Sequence, residues 1–151
     1  INNIMNITNL INELNKNFTR NMPYLFPLLI NYTGTDWLKY KKECTLGYSR
    51  TKIYSNSNFD LFLINWSKHS KSKIHDHSED GCVFKVLEGE LCEKIYQPNT
   101  LTQTQTNIFR QNDISFINDN IGYHSIENNT NNNAYSLHLY IPSNHVTKYF
   151  N

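Results

Sequence analysis

The sequence predicts a mainly β protein, an antiparallel β-barrel or jelly roll preceded by a helical cap. Apolar residues recur at helical spacing only in the first third of the chain. From Tyr48 onward they alternate with polar residues in short runs, which turn-like segments separate. We therefore expect a single domain over residues 1–151, with a helical part at about 1–45 and the barrel at about 46–151.

The helical part is expected to contain two helices. In residues 6–18 (NITNLINELNKNF) a stripe of apolar residues follows helical spacing: Ile7, Leu10, Ile11, Leu14 and Phe18. Pro23 and Pro27 then interrupt the helical pattern. A second helix is predicted in residues 33–43 (TGTDWLKYKKE), with Thr35 or Asp36 as its N-cap.

Short strands are predicted throughout the rest of the chain. They cover residues 48–54, 59–66, 81–87, 90–96, 107–110, 113–118, 124–128 and 134–142. A turn at Glu88-Gly89 predicts a hairpin that pairs Leu87 with Glu90 and Lys85 with Cys92. In that hairpin Cys82 faces the interior and Cys92 the opposite side of the sheet, so we expect no disulfide between them.

Composition excludes several classes of function. The formal net charge is +1 and no basic run is present, so we expect no nucleic-acid partner. No run of 18 apolar residues predicts a membrane span, and no signal peptide is visible. The cysteines are three and widely spaced, which favours a reducing compartment. We expect a cytoplasmic monomer.

Histidines supply the first indication of chemistry. His75 and His77 are two residues apart, so on a strand both point to the same face and can converge on one ion. Neutral imidazoles suit iron, zinc, copper or nickel. An isolated H-x-H is more often a solvated polar pair at the end of a loop. Here Cys82 follows His77 after four intervening residues, and Gly89 follows Cys82 after six. A later segment, HSIEN, contributes His124.

These two segments resemble the two metal motifs of the cupin superfamily, a small barrel with a metal inside. In many cupins the position of Cys82 is a metal-binding Glu, so the resemblance implies a site of three histidines without a carboxylate. Such a site keeps the full double positive charge of the ion. It therefore favours an anionic ligand from the substrate, and coordination to a metal deprotonates a thiol.

Longer stretches make the resemblance more specific. Residues 48–66, 72–96 and 116–142 are similar to successive blocks of the cysteine dioxygenase family, the thiol dioxygenase branch of the cupins. Members of that family use mononuclear Fe(II) and O2 to oxidise L-cysteine to cysteine sulfinic acid. The resemblance implies the same cofactor and substrates for this chain.

The same resemblance implies roles for individual residues. His75, His77 and His124 would be the iron ligands. Arg50 would hold the substrate carboxylate, with Tyr48 and Trp66 in the same pocket. A thioether would join Cys82 to Tyr140, and a hydrogen-bonded relay would consist of Ser136, His138 and Tyr140. No role is predicted for Cys44, Cys92, His69 or His145.

Other interpretations of these residues stay open. Arg50 could be an ordinary surface arginine, and the Ser136, His138 and Tyr140 face could be the solvent face of an edge strand. The function could be dioxygenation of another small carboxylated thiol, such as 3-mercaptopropionate. It could also be metal binding without catalysis, or the isomerase chemistry of a zinc cupin. Arg50 favours a carboxylate and argues against cysteamine.

The end of the sequence differs from the family pattern. The chain stops at Asn151, soon after the YIP strand, whereas family members usually continue. We therefore expect any closing strand to be missing or replaced.

Overall fold

The computed structural model describes residues 4–150. Helix α1 (Ile7–Lys16), a 3-10 helix (Met22–Leu25), helix α2 (Phe26–Asn31) and a second 3-10 helix (Asp36–Tyr40) come first. The strands that follow are β1 (Tyr48–Ser55), β2 (Asp60–Trp66), β3 (Ile74–His75), β4 (Gly81–Glu88), β5 (Glu90–Tyr96), β6 (Gln103–Arg110), β7 (Ile114–Ile117), β8 (Tyr123–Glu127), β9 (Ala134–Ile141) and β10 (Tyr149–Phe150). Among the described residues, no helix is long and apolar enough to cross a membrane.

Helix α1 begins at a reciprocal side-chain cap. The Asn6 side chain accepts a hydrogen bond from the Asn9 backbone N–H at 2.8 Å, and the Asn9 side chain accepts from the Asn6 backbone N–H at 3.3 Å. The predicted apolar stripe is confirmed, since Ile7, Leu10 and Leu14 are buried on one face of this helix.

Both prolines lie in the first turns of new helical segments, so the helical pattern is interrupted as predicted. Pro23 is in the first turn of the 3-10 helix and Pro27 in the first turn of α2. A missing N–H is harmless there because the first turn has no intrahelical acceptor for it. The helix predicted at residues 33–43 is shorter than expected, a single 3-10 segment over Asp36–Tyr40.

The strands form two five-stranded antiparallel sheets. The first, in the order β1-β2-β9-β4-β7, is called the cap sheet here, because the helices cover its outer face. The second, in the order β10-β3-β8-β5-β6, is called the histidine sheet. An inner apolar cluster draws on both sheets: Ile64, Trp66, Phe84, Val86, Leu91, Ile126 and Ala134. This face-to-face arrangement agrees with the predicted jelly roll.

The predicted hairpin at Glu88-Gly89 is wrong. β4 pairs with β7 and β9, whereas β5 pairs with β6 and β8, so the two strands lie in different sheets. Gly89 turns the chain between the sheets with φ of 87°. A Cβ at this position would lie 2.9 Å from the Cβ of Ala134, so only glycine fits both the turn and the space. Cys82 and Cys92 are consequently in separate sheets, and both are free thiols.

Strand β9 has two buried faces. Its outward residues pack against the helical cap and are Tyr135, Leu137, Leu139 and Ile141. Its inward residues are polar and are Ser136, His138 and Tyr140. Because β9 is the third strand of five, the interpretation of this polar row as the solvent face of an edge strand is wrong.

A buried ammonium fastens the helices to the cap sheet. Lys85, on the outer face of β4, is only 1% exposed. Its Nζ donates to the carbonyl oxygens of Leu29 at 3.0 Å, Ile30 at 2.9 Å and Tyr32 at 2.6 Å. These carbonyls lie at the C-terminal end of α2, where intrahelical donors run out and a cation is favoured. Burial lowers the pKa of Lys85, and the three acceptors compensate for its lost hydration.

The final segment, residues 143–150, is called the C-terminal strap here. The Asp60 carboxylate accepts from the backbone N–H of Asn144 at 2.8 Å. Asp76 Oδ1 accepts from His145 Nε2 at 2.9 Å and from the Lys148 backbone N–H at 2.8 Å. His145, for which the sequence indicated no role, thus helps to hold the strap. Strand β10 then pairs with β3 and covers this edge of the histidine sheet.

Candidate metal centre

Three histidine side chains meet between the sheets. His75 on β3 is the register partner of His124 on β8, and His77 follows β3 directly. Their candidate ligand atoms all lie within 4.8 Å of one another, and the Nε2 atoms of His75 and His124 are 3.0 Å apart. No carboxylate or thiol from residues 4–150 joins this cluster. The structure therefore brings together the three ligands that the sequence predicted.

Each of the three imidazoles has an oxygen atom beside its Nδ1. The pairs are His75 with the Lys73 carbonyl at 2.8 Å, His77 with Asp119 Oδ1 at 3.1 Å, and His124 with Glu93 Oε2 at 2.8 Å. A carbonyl or carboxylate oxygen accepts a hydrogen bond, so the ring hydrogen belongs on Nδ1. The Nε2 atoms are left as lone pairs, which is the tautomer that binds a metal.

These bare nitrogen atoms fit a bound cation. Nε2 of His77 is buried and has no hydrogen-bond partner. Burial lowers the pKa of His75 to about 4 and holds that of His124 well below its usual range, so at neutral pH neither ring carries a second proton. Two lone pairs facing each other at 3.0 Å repel unless a cation lies between them. The three histidines can therefore hold a metal ion.

Glu93 is a functional residue that the sequence analysis missed. It is 1% exposed on β5, and its other carboxylate oxygen, Oε1, accepts from Asn107 Nδ2 at 3.2 Å and from Ser115 Oγ at 3.5 Å. Burial raises the pKa of Glu93 to about 7, and these hydrogen bonds offset part of that rise. One feature of the sequence could have indicated that Glu93 is buried. It alternates along the strand with the apolar residues Leu91 and Ile95, which are buried on the same face.

The inward row of β9 forms a chain of hydrogen bonds. Trp66 Nε1 donates to Ser136 Oγ at 2.9 Å, and this hydroxyl lies 2.6 Å from His138 Nε2. The His138 Nδ1 atom lies 3.4 Å from the hydroxyl of Tyr140. An indole N–H can only donate, so Ser136 accepts from Trp66 and is free to donate to His138.

Protonation of His138 sets the direction of the rest of this chain. Burial lowers the pKa of His138, which keeps the ring neutral. With Nε2 accepting from Ser136, the ring hydrogen is on Nδ1 and points toward the Tyr140 oxygen. The hydrogen of Tyr140 is then free of His138 and can be donated to the Cys82 sulfur or to a ligand in the site.

Cys82 and Tyr140 are direct neighbours across two strands. They are register partners in the β4–β9 pair, and Cys82 is 2% exposed. The Cys82 sulfur lies 3.8 Å from His138 Nδ1. Burial raises the pKa of both the Cys82 thiol and the Tyr140 phenol, so both groups are protonated at neutral pH.

A cavity that is partly open to solvent adjoins the histidines. Five residues predicted for the pocket line it: Tyr48, Arg50, Trp66, His138 and Tyr140. Two of the three clustered histidines, His75 and His124, line it as well. Thr147 and Tyr149 of the strap also line it. The cavity and the metal cluster are therefore one site, which the C-terminal strap borders.

Arg50 occupies the open side of this cavity. Its guanidinium carbon lies 4.2 Å from the centre of the Phe62 ring and 5.6 Å from that of Tyr140. The residue is exposed, and it forms no ion pair with any residue in the range 4–150. Tyr48 and Trp66 pack together beside it, with ring centres 4.8 Å apart. A planar cation in this position can meet the carboxylate of a ligand in the cavity.

A family model for cysteine dioxygenase type I matches residues 4–151. The chain belongs to this family. The resemblance to cysteine dioxygenase that the sequence indicated is therefore confirmed, and so is the cupin fold.

Individual relatives agree with the family assignment. Human cysteine dioxygenase type 1 is 34% identical over 115 residues, which are 72% of this chain and 58% of the human protein. The protein of the same name from Bos taurus is 34% identical over 114 residues, 71% of this chain and 57% of the bovine protein. The chain thus spans less than two thirds of the length of these relatives.

Solved structures show the same fold at low identity. A Klebsiella pneumoniae protein with a double-stranded β-helix domain has a TM-score of 0.63 at 12% identity, covering 75% of this chain and 92% of that one. A cupin superfamily protein from Desulfitobacterium hafniense has a TM-score of 0.55 at 9% identity, covering 67% of this chain and 83% of that one.

The contact between Glu93 and His124 predicts an effect on metal affinity. In Glu93→Gln the acceptor loses its charge, so His124 becomes a weaker ligand, and we expect Co²⁺ affinity to fall by about tenfold or more. Competition with a chromophoric chelator measures this. Glu88→Gln, at an exposed position at the end of β4 in the other sheet, is the control and should bind Co²⁺ like the unaltered protein. Equal affinities for all three proteins would show that Glu93 does not tune the site.

Proposed function

We propose that this chain is an Fe(II)-dependent thiol dioxygenase that oxidises L-cysteine with O2 to cysteine sulfinic acid. The observation that carries the proposal is the cluster of three bare Nε2 atoms, which no carboxylate or thiol of residues 4–150 joins, beside Arg50, which forms no ion pair within that range. Membership of the cysteine dioxygenase family supports this chemistry.

The choice of metal and of a thiol substrate follows from the donor set. His75, His77 and His124 would hold the ion through three neutral imidazoles, which leave it without an anionic ligand from the described residues. A soft thiolate is the small-molecule ligand best suited to such an ion. Fe(II), when bound, would supply coordination of the thiolate and reactivity toward O2.

Arg50 is proposed to select a carboxylate. A guanidinium fork can make two parallel hydrogen bonds to a carboxylate, and Arg50 has none of its donors in an ion pair within the described chain. Its stacking on Phe62 fixes the plane of the fork. Tyr48 and Trp66 are proposed to form the wall beside the substrate, since both line the cavity.

Tyr140 is proposed to donate a hydrogen bond to the reacting groups. His138, held neutral by burial, donates from Nδ1 to the phenol oxygen and is itself oriented by Ser136. The phenol hydrogen then points away from His138. Because the Tyr140 pKa is raised, the group acts as a donor and not as a phenolate.

The proposed setting is a monomer in the cytoplasm. Cys44, Cys82 and Cys92 are all free, as a reducing compartment would leave them. The expected partners are L-cysteine and O2, with no nucleic acid and no membrane.

Direct assay of the reaction tests the proposed function. The iron-loaded protein should consume O2 in the presence of L-cysteine and form cysteine sulfinic acid, detected by mass spectrometry. His124→Ala removes one of three ligands, so we expect it to lose both iron and activity. His69→Ala, an exposed histidine outside the cluster, should retain both. Full activity of a zinc-loaded, iron-free protein would contradict the proposal, and binding of metal with no oxidation of any thiol would indicate a non-catalytic cupin.

Arg50 generates a prediction about substrate choice. A charge-assisted contact to a carboxylate contributes about 1.5–3 kcal/mol, and because Arg50 is exposed we expect the lower end of that range. Arg50→Ala should therefore reduce kcat/KM for L-cysteine by about tenfold. Cysteamine has no carboxylate and should be affected much less. Arg110→Ala, at an exposed arginine on β6, is the matched control. Equal losses on both thiols would mean that Arg50 does not bind the carboxylate.

Cys82 and Tyr140 are predicted to become joined by a thioether during turnover. A bond forms between the sulfur and the ring carbon next to the phenol oxygen, two hydrogens are lost, and O2 is the oxidant. The register of the two strands supports this, because it sets the residues directly opposite each other. Peptide mapping after aerobic incubation with iron and L-cysteine should find the joined peptides, and a faster band should develop on a denaturing gel.

Variants of the two buried cysteines separate the cross-link from general packing. Cys82→Ala should abolish the faster band and reduce activity modestly, since the link would only orient Tyr140. Cys92→Ala removes another buried thiol, from the other sheet, and should keep the band. Recovery of separate, unmodified Cys82 and Tyr140 peptides from fully active protein would show that hydrogen bonds alone hold Tyr140.

A further inference from the structure

An outer cavity adjoins the cavity beside the three histidines. Arg50, Tyr140 and Thr147 line both cavities, so the two share a wall. The outer cavity is partly open to solvent and is also lined by Lys52, which has no role in the proposed reaction. Lys52 thus lines the outer cavity alone, whereas Arg50 lines both cavities.

Lys52 and Arg50 are arranged as a pair around one aromatic ring. They are two residues apart on β1, so their side chains leave the same face of the strand. Lys52 is the register partner of Phe62 on β2. Its Nζ lies 5.6 Å from the centre of the Phe62 ring, and the guanidinium carbon of Arg50 lies 4.2 Å from the same centre. Both cations therefore lie beside the Phe62 ring, in the outer cavity, which is called the entrance from here on.

No protein anion neutralises this pair by contact. Neither Lys52 nor Arg50 forms an ion pair with a residue in the range 4–150. Asp60 lines the same cavity, but its carboxylate accepts hydrogen bonds from Ser55 Oγ and the Asn144 backbone N–H, and the residue is 5% exposed. The entrance therefore presents two exposed positive charges beside the site.

We propose that Lys52 is a second specificity-determining cation, which selects thiols at the entrance by their net charge. Arg50 would bind the carboxylate by direct contact, whereas Lys52 would act through space on the whole ligand. This inference rests on the proposed thiol dioxygenase function and names a residue that sets its substrate range.

Electrostatics gives the size and the order of the effect. One exposed charge at several ångströms from a ligand changes its affinity by about threefold, and salt screens that effect. Bound through a thiolate, with the amino group protonated, 3-mercaptopropionate would carry two negative charges, L-cysteine one net negative charge and cysteamine no net charge. Removal of the Lys52 charge should therefore weaken binding most for the first thiol, less for the second and not at all for the third.

Anaerobic calorimetry on the iron-loaded protein, with each of the three thiols, tests this order. Lys52→Gln should raise Kd about threefold for 3-mercaptopropionate, less than twofold for L-cysteine, and leave Kd for cysteamine unchanged. The differences should shrink at about 0.5 M salt. Lys39→Gln is the matched control, because Lys39 is an exposed lysine 5.5 Å from the Tyr40 ring in the helical cap. Steady-state rates should show the change in KM and not in kcat.

The outcomes separate this inference from the function on which it rests. If the unaltered protein binds the thiols normally and Lys52→Gln changes all three equally, or matches Lys39→Gln, Lys52 does not select by charge. If the unaltered protein binds none of the thiols, the proposed function fails and this inference fails with it. A loss ordered by ligand charge and weakened by salt supports the assignment of Lys52.

Discussion

The rest of the site depends on one constraint: the Nε2 atoms of three histidines lie close together and carry no hydrogen. Three oxygen atoms fix the ring hydrogens of His75, His77 and His124 on the outer nitrogens, and the inner nitrogens face one another. Such an arrangement is unfavourable without a cation, because buried lone pairs lack both water and a donor. The protein thus carries an electrostatic cost in the metal-free state that a bound ion would relieve.

Two of the three rings are anchored by residues from distant parts of the chain, so the site forms only when the fold is complete. The His77 to Asp119 contact spans 42 residues and the His124 to Glu93 contact spans 31 residues. Sequence alternation predicted which residues of H-x-H and of β9 share a face, since that depends on neighbours alone. It could not predict which acidic residue meets which ring, because that depends on strand order.

The errors in the predicted fold have the same origin. A glycine after Glu88 suits a hairpin and a crossing between sheets equally well, and only the space beside Ala134 distinguishes them. Strands β3 and β10 contain two residues each, too few for any alternation to be visible. Most of the longer strands, the apolar stripe of α1 and the meeting of the three histidines were predictable because each has a repeating or motif-like local pattern. The first half of β6, residues 103–106, contains only polar residues and was not predicted.

Strand β9 joins two parts of the molecule that otherwise share little. One face contributes Leu137 and Leu139 to the packing under the helical cap, and the other contributes Ser136 and His138 to the hydrogen-bonded row. The apolar residues must fill the space under the cap, and the polar residues must keep their hydrogen-bond geometry. Both requirements depend on the position of one backbone. A substitution that shifts the cap by a fraction of an ångström is therefore felt as a misaligned proton donor, and the two faces of this strand are bound to evolve together.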